Sequence, residues 1–276
     1  MADLIAANRD LILMLPRFGI KLGFGEKNVK DVCEQYSIDV DFFLLICNIY
    51  TFDDYAPDED FIASVNIDSL LAYLEASHRY YLNERMPHMQ RHLDHIAERT
   101  GESACVMLKK YFADYRAEVA DHFAHEEKDI FPQLRRLHPG QKLERGRVER
   151  LAHSHENIKD RLTDLTQLIY KYLPGDFMTE ELMELVFGIL QLSKDLEKHT
   201  LIEDMLLAPD ENYDLSEREI DVLSLLAQGL SSKEIASRLN IAVNTVNTHR
   251  KNITKKTGMK SVAALAVYAT INGMIK

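Results

Sequence analysis

The sequence contains no tryptophan, seven prolines and three cysteines among its 276 residues. The cysteines, Cys33, Cys47 and Cys105, are odd in number and widely spaced, and no Cys-x-x-Cys occurs. This pattern argues against a disulfide framework and favours buried thiols in a reducing compartment. Because proline interrupts helices, its scarcity favours a chain that is mostly helical.

Long hydrophobic runs are also missing. No apolar stretch approaches the roughly 18 residues that a membrane span requires. The opening "MADLIAANRD" has an acidic residue within four positions and no apolar core, so we expect no secretory signal. We therefore expect a cytoplasmic protein without a membrane partner. Its length allows one large domain or two to three small ones, and its 46% hydrophobic residues suffice for real cores.

Charge is unevenly distributed along the chain. Residues 213–276 hold nine Lys/Arg and five Asp/Glu, a net charge of +4. The total is −11, so the remaining residues carry −15. Because a small basic segment follows an acidic remainder of the chain, we expect only the C-terminal segment to bind a polyanion.

Histidine is concentrated in the middle of the chain. Of the eleven histidines, none precedes His78, ten lie between His78 and His199, and His249 stands alone in the basic segment. This distribution indicates that the histidines of the central region have a function that the two ends lack.

Turn signals divide the chain into three predicted domains, residues 1–56, 60–209 and 213–276. The central domain contains four long helical patterns, separated by "RTGES", "LHPGQ" and "YLPGD". The predicted helices span residues 66–98, 102–136, 142–172 and 177–206. Four long helices joined by short turns predict an all-α fold built on an antiparallel four-helix bundle. We expect Pro87 to bend the first of these helices.

Two His-x3-Glu pairs occur on different predicted helices. His122 and Glu126 lie in "DHFAHEEKDIFP", and His199 and Glu203 lie in "KHTLIEDMLLAP". Residues four apart share a helix face, so each pair can bind one ion. A single pair of this kind is more often a solvated ion pair than a ligand set. Two pairs converging in a bundle instead predict a dinuclear transition-metal site with bridging carboxylates.

The other two helices contribute single histidines, His78 in "ASHRYYLNERMP" and His155 in "AHSHENI". Competing assignments exist, because His125 with Asp129 has the same spacing and His153 stands beside His155. Spacing alone does not decide between these assignments, so the candidate metal ligands are His78, His122, Glu126, His155, His199 and Glu203, with His125, Asp129 and His153 as alternatives.

The segments "HFAHEEKDIFP", "SHENI" and "HTLIEDMLLAP" resemble the hemerythrin-like, HHE-type bundle, over about residues 60–209. The resemblance is closest to the iron-centre repair subgroup, and it implies a non-haem di-iron cofactor held by the six residues above. Manganese and zinc are not excluded by this ligand set. The subgroup's further histidine would fall near Arg99 or Thr100, and neither residue can serve as a ligand. His92 and His95 are the less favoured substitutes. We expect instead an open or water-filled metal position, where oxygen, nitric oxide or peroxide would bind.

The N-terminal segment "FGIKLGFGEKNVKDVCEQYSID" resembles the small helical domain of the same repair proteins. That family normally has an adjacent cysteine pair where this sequence has Gly23 and Phe24. Thiolates are the soft ligands that iron-sulfur chemistry requires. We therefore expect this domain to be a structural or signalling remnant, with Cys33 a buried helix residue.

The basic segment contains two successive helical patterns, "SSKEIASRLNI" and "AVNTVNTHRKNITKK". The second is rich in Asn, Thr, Arg and Lys, which can donate to phosphates and base edges in the major groove. On charge alone, a generic small helical domain with a basic surface would be the preferred explanation of the segment.

Residues 213–276 further resemble the LuxR/GerE-type DNA-binding domain, through "LSEREIDVL", "LAQGLSSKEIA", "TVNTH" and "KTG". The resemblance implies a recognition helix from about Val243 to Lys256, and a last helix that pairs two chains on a palindromic operator in double-stranded DNA. The implied DNA-binding residues are Lys233, Thr245, Asn247, Thr248, Arg250, Lys251 and Lys255. Two positions depart from the family: Ala242 replaces a Ser cap, and Asn247 replaces a common Lys.

Together these features predict a one-component, DNA-binding transcriptional regulator that is not an enzyme and acts as a homodimer on DNA. Its di-iron domain would sense oxygen, nitric oxide, redox state or iron. The runner-up is iron donation to damaged iron-sulfur clusters or nitric oxide reduction, with an autoregulatory DNA-binding tail. A third hypothesis is a bundle that has lost its metal and binds a partner protein.

Overall fold

The computed structural model describes residues 1–52, 55, 57, 65–100, 103–136, 145–172, 180–207, 215–257, 259, 262–271 and 274. All regular elements in these residues are helices, so the predicted all-α class is confirmed. Contacts divide the chain into two compact units, one of them formed by Leu71–Arg136 and Ser154–Thr200. The boundaries between the three predicted domains fall mainly outside the described residues, and that division stays a prediction.

The N-terminal segment consists of short helices. They are α1 (Ala2–Ala7), two 3-10 turns (Arg9–Leu13 and Leu15–Phe18), α2 (Val29–Gln35) and α3 (Val40–Thr51). Asn28 and Asp31 form a reciprocal capping box that starts α2. Cys33 on α2 is fully buried, as predicted, and burial raises the pKa of its thiol to about 11. A thiol with so high a pKa is a poor nucleophile at neutral pH.

Four long helices form the bundle. They are α4 (Ile67–Tyr80, a π-helical turn Tyr81–Arg85, then Met86–Thr100), α5 (Ser103–His125, a π-helical turn Glu126–Ile130, then Phe131–Leu134), α6 (Arg145–Tyr172) and α7 (Glu180–Leu207). These bounds lie within three residues of the predicted ones, so the predicted helices are confirmed.

Side-chain contacts establish the antiparallel arrangement. On α4, His78 contacts His199 of α7, whereas the later His92 contacts the earlier Glu184. Likewise α5 and α6 meet through His122 with Ser154, and through Glu118 with Arg161. Rising residue numbers on one helix therefore meet falling numbers on its neighbour, as an up-down bundle requires.

A proline follows each π-helical turn. Pro87 comes after Tyr81–Arg85, and Pro132 comes after Glu126–Ile130. Proline lacks an N–H and crowds the preceding turn, so the α-helical hydrogen-bond register cannot continue unchanged through it. In both helices the register is changed by a wider turn, with Met86 donating to the Tyr81 carbonyl in α4. The structure thus shows a π-helical turn before Pro87, and the bend expected from the sequence stays a prediction.

The bundle interior away from the histidines is apolar. Phe112, Tyr115 and Leu165 have no exposed surface, and neither has Leu185 of α7. Removing such side chains from water at about 25 cal/mol per Å² is the main driving force for the packing of the helices. This core supports the helix faces that present the polar cluster.

The described residues from 215 onward form four further helices. They are α8 (Glu217–Ala227), α9 (Ser232–Leu239), α10 (Val243–Thr257) and α11 (Val262–Ile271). Ser231 caps α9 in a box with Glu234, and Asn240 ends that helix with φ 53°. Asparagine tolerates this left-handed conformation, and α10 begins three residues later. The predicted helix-turn-helix is confirmed.

A polar contact joins the first and third of these helices. The Glu219 carboxylate on α8 is buried, accepts from the Ser216 backbone N–H, and pairs with Lys256 Nζ of α10 at 2.7 Å. Burial acts to raise the pKa of Glu219, but the hydrogen bonds from Lys256 and Ser216 outweigh it and lower that pKa. Glu219 therefore remains ionised and ties α10 to α8.

Candidate metal centre and nucleic-acid interface

The six predicted metal ligands lie in two buried groups. His78, His199 and Glu203 form one group, and His122, Glu126 and His155 form the other. Within each group the potential ligand atoms all lie within 4.8 Å of one another. All six side chains are at most 8% exposed. Charged groups seldom occupy such positions unless they are paired or bind an ion.

Glu126 is a member of the second group and also contacts the first. Its Oε1 lies 3.1 Å from His122 Nε2 and 3.3 Å from His155 Nε2. Its Oε2 lies 3.4 Å from His78 Nε2, which in turn is 3.1 Å from His199 Nε2. One carboxylate therefore contacts imidazoles from three helices. This is the placement that a carboxylate bridging two cations needs.

The Nδ1 atoms of two of these imidazoles also have hydrogen-bond partners. His78 Nδ1 lies 2.9 Å from Glu127 Oε1, and His122 Nδ1 lies 3.0 Å from Ser154 Oγ. The hydrogen bond from His78 lowers the pKa of Glu127, so this carboxylate is ionised and acts as the acceptor. An Nδ1–H donor leaves the Nε2 lone pair of His78 directed toward His199 and Glu126. Metal-binding histidines are commonly held in this way.

The donor set fits a transition-metal pair. Imidazole nitrogens and carboxylate oxygens suit iron, manganese and zinc, and no thiolate contributes to either group. The alternative pair His125 and Asp129 is an exposed surface contact at 2.9 Å, and His153 is exposed. The residues that the sequence analysis preferred are the ones that the structure buries and brings together.

The two less favoured substitutes for the missing family histidine contact acidic residues of α7 instead of the ligand groups. His92 Nε2 lies 3.6 Å from Glu184, and His95 Nδ1 lies 3.0 Å from Glu181. His92 follows His78 by about four helical turns, roughly 21 Å along α4. Neither imidazole joins the two ligand groups found in the described residues.

Glu127 and Ser154 were not predicted from the sequence. Each stands directly beside a predicted ligand, Glu127 after Glu126 and Ser154 before His155. Adjacency alone is a weak signal, because neighbouring residues on a helix point in directions about 100° apart. Their roles depend on contacts with α4 and α5, which the local sequence does not specify.

The predicted recognition helix presents a polar outer face. Val246, Ile253 and Thr257 are buried on the inner face of α10. The outward-facing predicted DNA contacts on this helix are Thr245, Asn247, Thr248, Lys251 and Lys255, and all five are exposed. Lys233, on α9, is exposed as well. This amphipathic pattern leaves a basic, amide-rich and hydroxyl-rich surface available for a groove.

Arg250 is placed differently from the other predicted contacts. It is half-buried, and its guanidinium donates to Ser232 Oγ at 2.8 Å, which links α10 to the start of α9. Ala242 stands at the N-cap position of α10, where its carbonyl accepts from the Thr245 and Val246 N–H groups. Alanine has no side-chain oxygen that could cap these amides, so the helix lacks the cap that the family's usual Ser would supply.

These features define a helical cation-binding bundle of histidines and carboxylates, linked in one chain to a helix-turn-helix domain. Residues 69–210 match the family described as "Hemerythrin HHE cation binding domain", and the chain belongs to this family. Residues 214–269 match "Bacterial regulatory proteins, luxR family". The chain thus joins a hemerythrin-type domain to a LuxR-type helix-turn-helix domain, as the resemblances predicted.

Curated relatives are similar to parts of this chain. "Transcriptional regulatory protein MctR" of Rhizobium johnstonii is 46% identical over 22% of this chain and 28% of its own length. "Nitrate/nitrite response regulator protein NarP" of Escherichia coli is 37% identical over 40% of this chain and 55% of its own. "Oxygen regulatory protein NreC" of Staphylococcus aureus is 46% identical over 20% and 25%, respectively. The chain therefore spans at most 55% of these relatives. No solved structure matches it.

Among the described residues, no helix combines the length and the apolarity needed to cross a bilayer.

Proposed function

We propose that this protein is a one-component transcriptional regulator whose hemerythrin-type domain holds a non-haem di-iron centre and senses oxygen, nitric oxide, redox state or iron. The observation that carries the proposal is the Glu126 carboxylate, which contacts histidines of both buried ligand groups. A LuxR-type domain in the same chain supplies the output.

The ligand assignment follows the two groups. His78, His199 and Glu203 would hold one ion, His122 and His155 the other, and Glu126 would serve both. Bound iron would supply redox chemistry and an affinity for small ligands such as oxygen or nitric oxide, because sites with few protein donors retain open positions. The chain's own contribution is to bury the donors, orient their rings and exclude bulk water.

The position of His199 and Glu203 on α7 suggests how sensing reaches the DNA-binding domain. Both lie in the last turns of α7, which ends at Leu207, and the LuxR-type region begins at residue 214. A change in how strongly these two side chains are drawn toward the centre would act on the helix nearest in sequence to that region. We propose that α7 transmits the signal in this way.

On the DNA side, we propose that α10 enters the major groove. Asn247, Thr248 and Lys251 would read base edges, while Thr245 and Lys255 would contact phosphates. Arg250, already bonded to Ser232, would also position α10 against α9. We propose that α11 pairs two chains, so the operator would be a palindrome read by a homodimer.

The direct test compares wild type with Glu203→Ala. An operator is first selected from random DNA with the iron-loaded, reduced protein, and affinity is then measured anaerobically before and after adding oxygen or nitric oxide. We expect the wild-type affinity to change by about 5- to 150-fold, the usual range of coupling between sites. The operator affinity of Glu203→Ala should change by less than twofold. That of Asp129→Asn, a substitution on the bundle surface, should change as much as in wild type. Equal responses of Glu203→Ala and wild type would refute the α7 route.

The runner-up function is iron-sulfur cluster repair or nitric oxide reduction with an autoregulatory DNA-binding tail. It is supported by the resemblance of the N-terminal segment to repair proteins, and it is weakened by Gly23 and Phe24 in place of the cysteine pair. Catalytic consumption of nitric oxide, or restoration of a damaged cluster enzyme by the iron-loaded chain, would favour this function over the regulator.

A further inference from the structure

His78 is fixed by side chains of α5. Its ring stacks on Phe123, with centroids 3.9 Å apart and an interplanar angle of 9°, and Phe131 stacks beside it at 5.7 Å. Glu127 binds its Nδ1 edge, while its Nε2 edge approaches Glu126. Stacking sets the plane of the imidazole, and the hydrogen bond sets its rotation within that plane.

The partner of His78 Nδ1 is a carboxylate, Glu127, whose Oε1 lies 2.9 Å away. A carboxylate that accepts from Nδ1–H raises the basicity of Nε2 and favours the tautomer that can bind a metal. Glu127 is exposed, with 41% of its side chain accessible, but its partner His78 is only 1% exposed, so water screens this contact less than one between two exposed groups.

The corresponding partner of His122 is a neutral hydroxyl. Ser154 Oγ lies 3.0 Å from His122 Nδ1. A hydroxyl can donate or accept, so it does not select one tautomer as a carboxylate does. The hydroxyl also carries no charge, so it does not raise the basicity of Nε2 on the opposite edge of the His122 ring.

We propose that Glu127 and Ser154 make the two metal positions unequal, so that a divalent transition metal fills the His78–His199–Glu203 position first and the His122–Glu126–His155 position second. The inference deepens the proposed function and rests on it. Glu203 lies in the first group, and the Glu126 carboxylate also approaches that group through Oε2. The carboxylate donors therefore favour the same order as the hydrogen bonds do. Glu127 is a positioning residue that acts through His78.

An unequal site has a functional consequence. At metal concentrations between the two dissociation constants, the chain holds one ion, and only higher concentrations fill the second position. Metal supply and the later binding of a gas to a complete centre would then be separable inputs to the same domain.

The test is an anaerobic titration of metal-free, full-length protein with Co²⁺ in a competing chelator, following bound metal and the visible absorption of Co²⁺. Wild type should bind two ions in steps at least about tenfold apart, because a change in outer partner typically alters affinity 10- to 100-fold. Glu127→Gln keeps an acceptor oxygen but loses the charge. It should weaken the first step about 10- to 100-fold and leave the second within threefold.

Two further variants separate the positions. Ser154→Ala should weaken only the second step. Asp129→Asn makes the same charge change on α5 at an exposed pair and should leave both steps unchanged. Circular dichroism of each metal-free variant checks that the helices form.

Three outcomes would overturn the inference. They are two equal wild-type steps, an equal effect of Glu127→Gln on both steps, and no effect of Glu127→Gln on either step. Failure of the wild type to bind any metal would overturn the proposed function as well, so the two failures are distinguishable.

Discussion

Glu126→Gln offers the sharpest perturbation of the bundle, because one side chain contacts both ligand groups. The substitution keeps size and shape but removes the negative charge and replaces one oxygen with an amide nitrogen. Glu126 provides the carboxylate of the second group, 3.1 Å from His122 and 3.3 Å from His155. In the first group it approaches only His78, at 3.4 Å, and Glu203 remains.

The expected magnitude follows from these contacts. Loss of an outer hydrogen-bond partner already lowers metal affinity about 10- to 100-fold. Loss of a direct charged donor should therefore exceed 100-fold at the second position, or about 2.8 kcal/mol. At the first position the loss should be about 10- to 100-fold, because the remaining donors are unchanged.

Isothermal titration of metal-free protein with Fe²⁺ under anaerobic conditions measures both effects. Glu203→Gln is the matched comparison, and it should weaken mainly the first position. Asp129→Asn is the control for loss of a carboxylate on α5. If Glu126→Gln still bound two ions with affinities within threefold of wild type, the reasoning that makes Glu126 a shared ligand would be refuted.

Three further predictions concern stability. Glu219→Gln should destabilise the contact between α8 and α10 by about 1.5–3 kcal/mol, the usual contribution of a hydrogen bond to a charged group. Because the folded-state pKa of Glu219 is lowered, the wild-type advantage should be complete above the ordinary Glu pKa and disappear as the pH falls through the folded value. Amide hydrogen exchange of the full chain measures the loss of stability in Glu219→Gln, with the exposed Glu217→Gln as the control. A difference between wild type and Glu219→Gln that does not change with pH would contradict the prediction. Ala242→Ser should stabilise α10 by about 1 kcal/mol by supplying the missing cap, and unchanged exchange at its first amides would contradict this. Tyr115→Phe should stabilise the bundle by up to about 1–3 kcal/mol, because the buried Tyr115 hydroxyl has no hydrogen-bond partner among the described residues. Denaturant unfolding measures this change in the free energy of unfolding. Phe112→Ala is the control: it should destabilise the bundle by about 3–5 kcal/mol, which shows that the measured transition is the unfolding of the bundle.

Local spacing predicted the two His-x3-Glu pairs, but His125 with Asp129 has the same spacing, and the family resemblance was needed to choose between them. His122 with Glu126, and His199 with Glu203, are each one helical turn apart, so their shared face followed from helix geometry. The short turns between long helices predicted the antiparallel order that brings His78 and His155 to the same region. The structure places all six side chains in two adjoining groups, and their binding of metal stays a prediction.

The parts that could not be predicted depend on tertiary packing. Glu127 bonds His78 because α4 lies against the side of α5 that carries it, and no repeat in the sequence encodes that contact. The sequence left His92 and His95 as alternatives, and only the structure shows that their distance along α4 brings them to acidic residues of α7. Pro87 indicated a local disturbance of α4, but not that the helix would respond with a π-helical turn.

We propose that four helices of this chain hold two metal ions through a shared Glu126. The decisive measurement is the metal content of the full-length protein after anaerobic reconstitution with Fe²⁺ and removal of loosely bound iron, together with its X-ray absorption spectrum. We expect two iron ions per chain with nitrogen and oxygen donors and an iron–iron scattering feature. A chain that retains no iron, manganese or zinc, or only one ion at saturating metal, would contradict it.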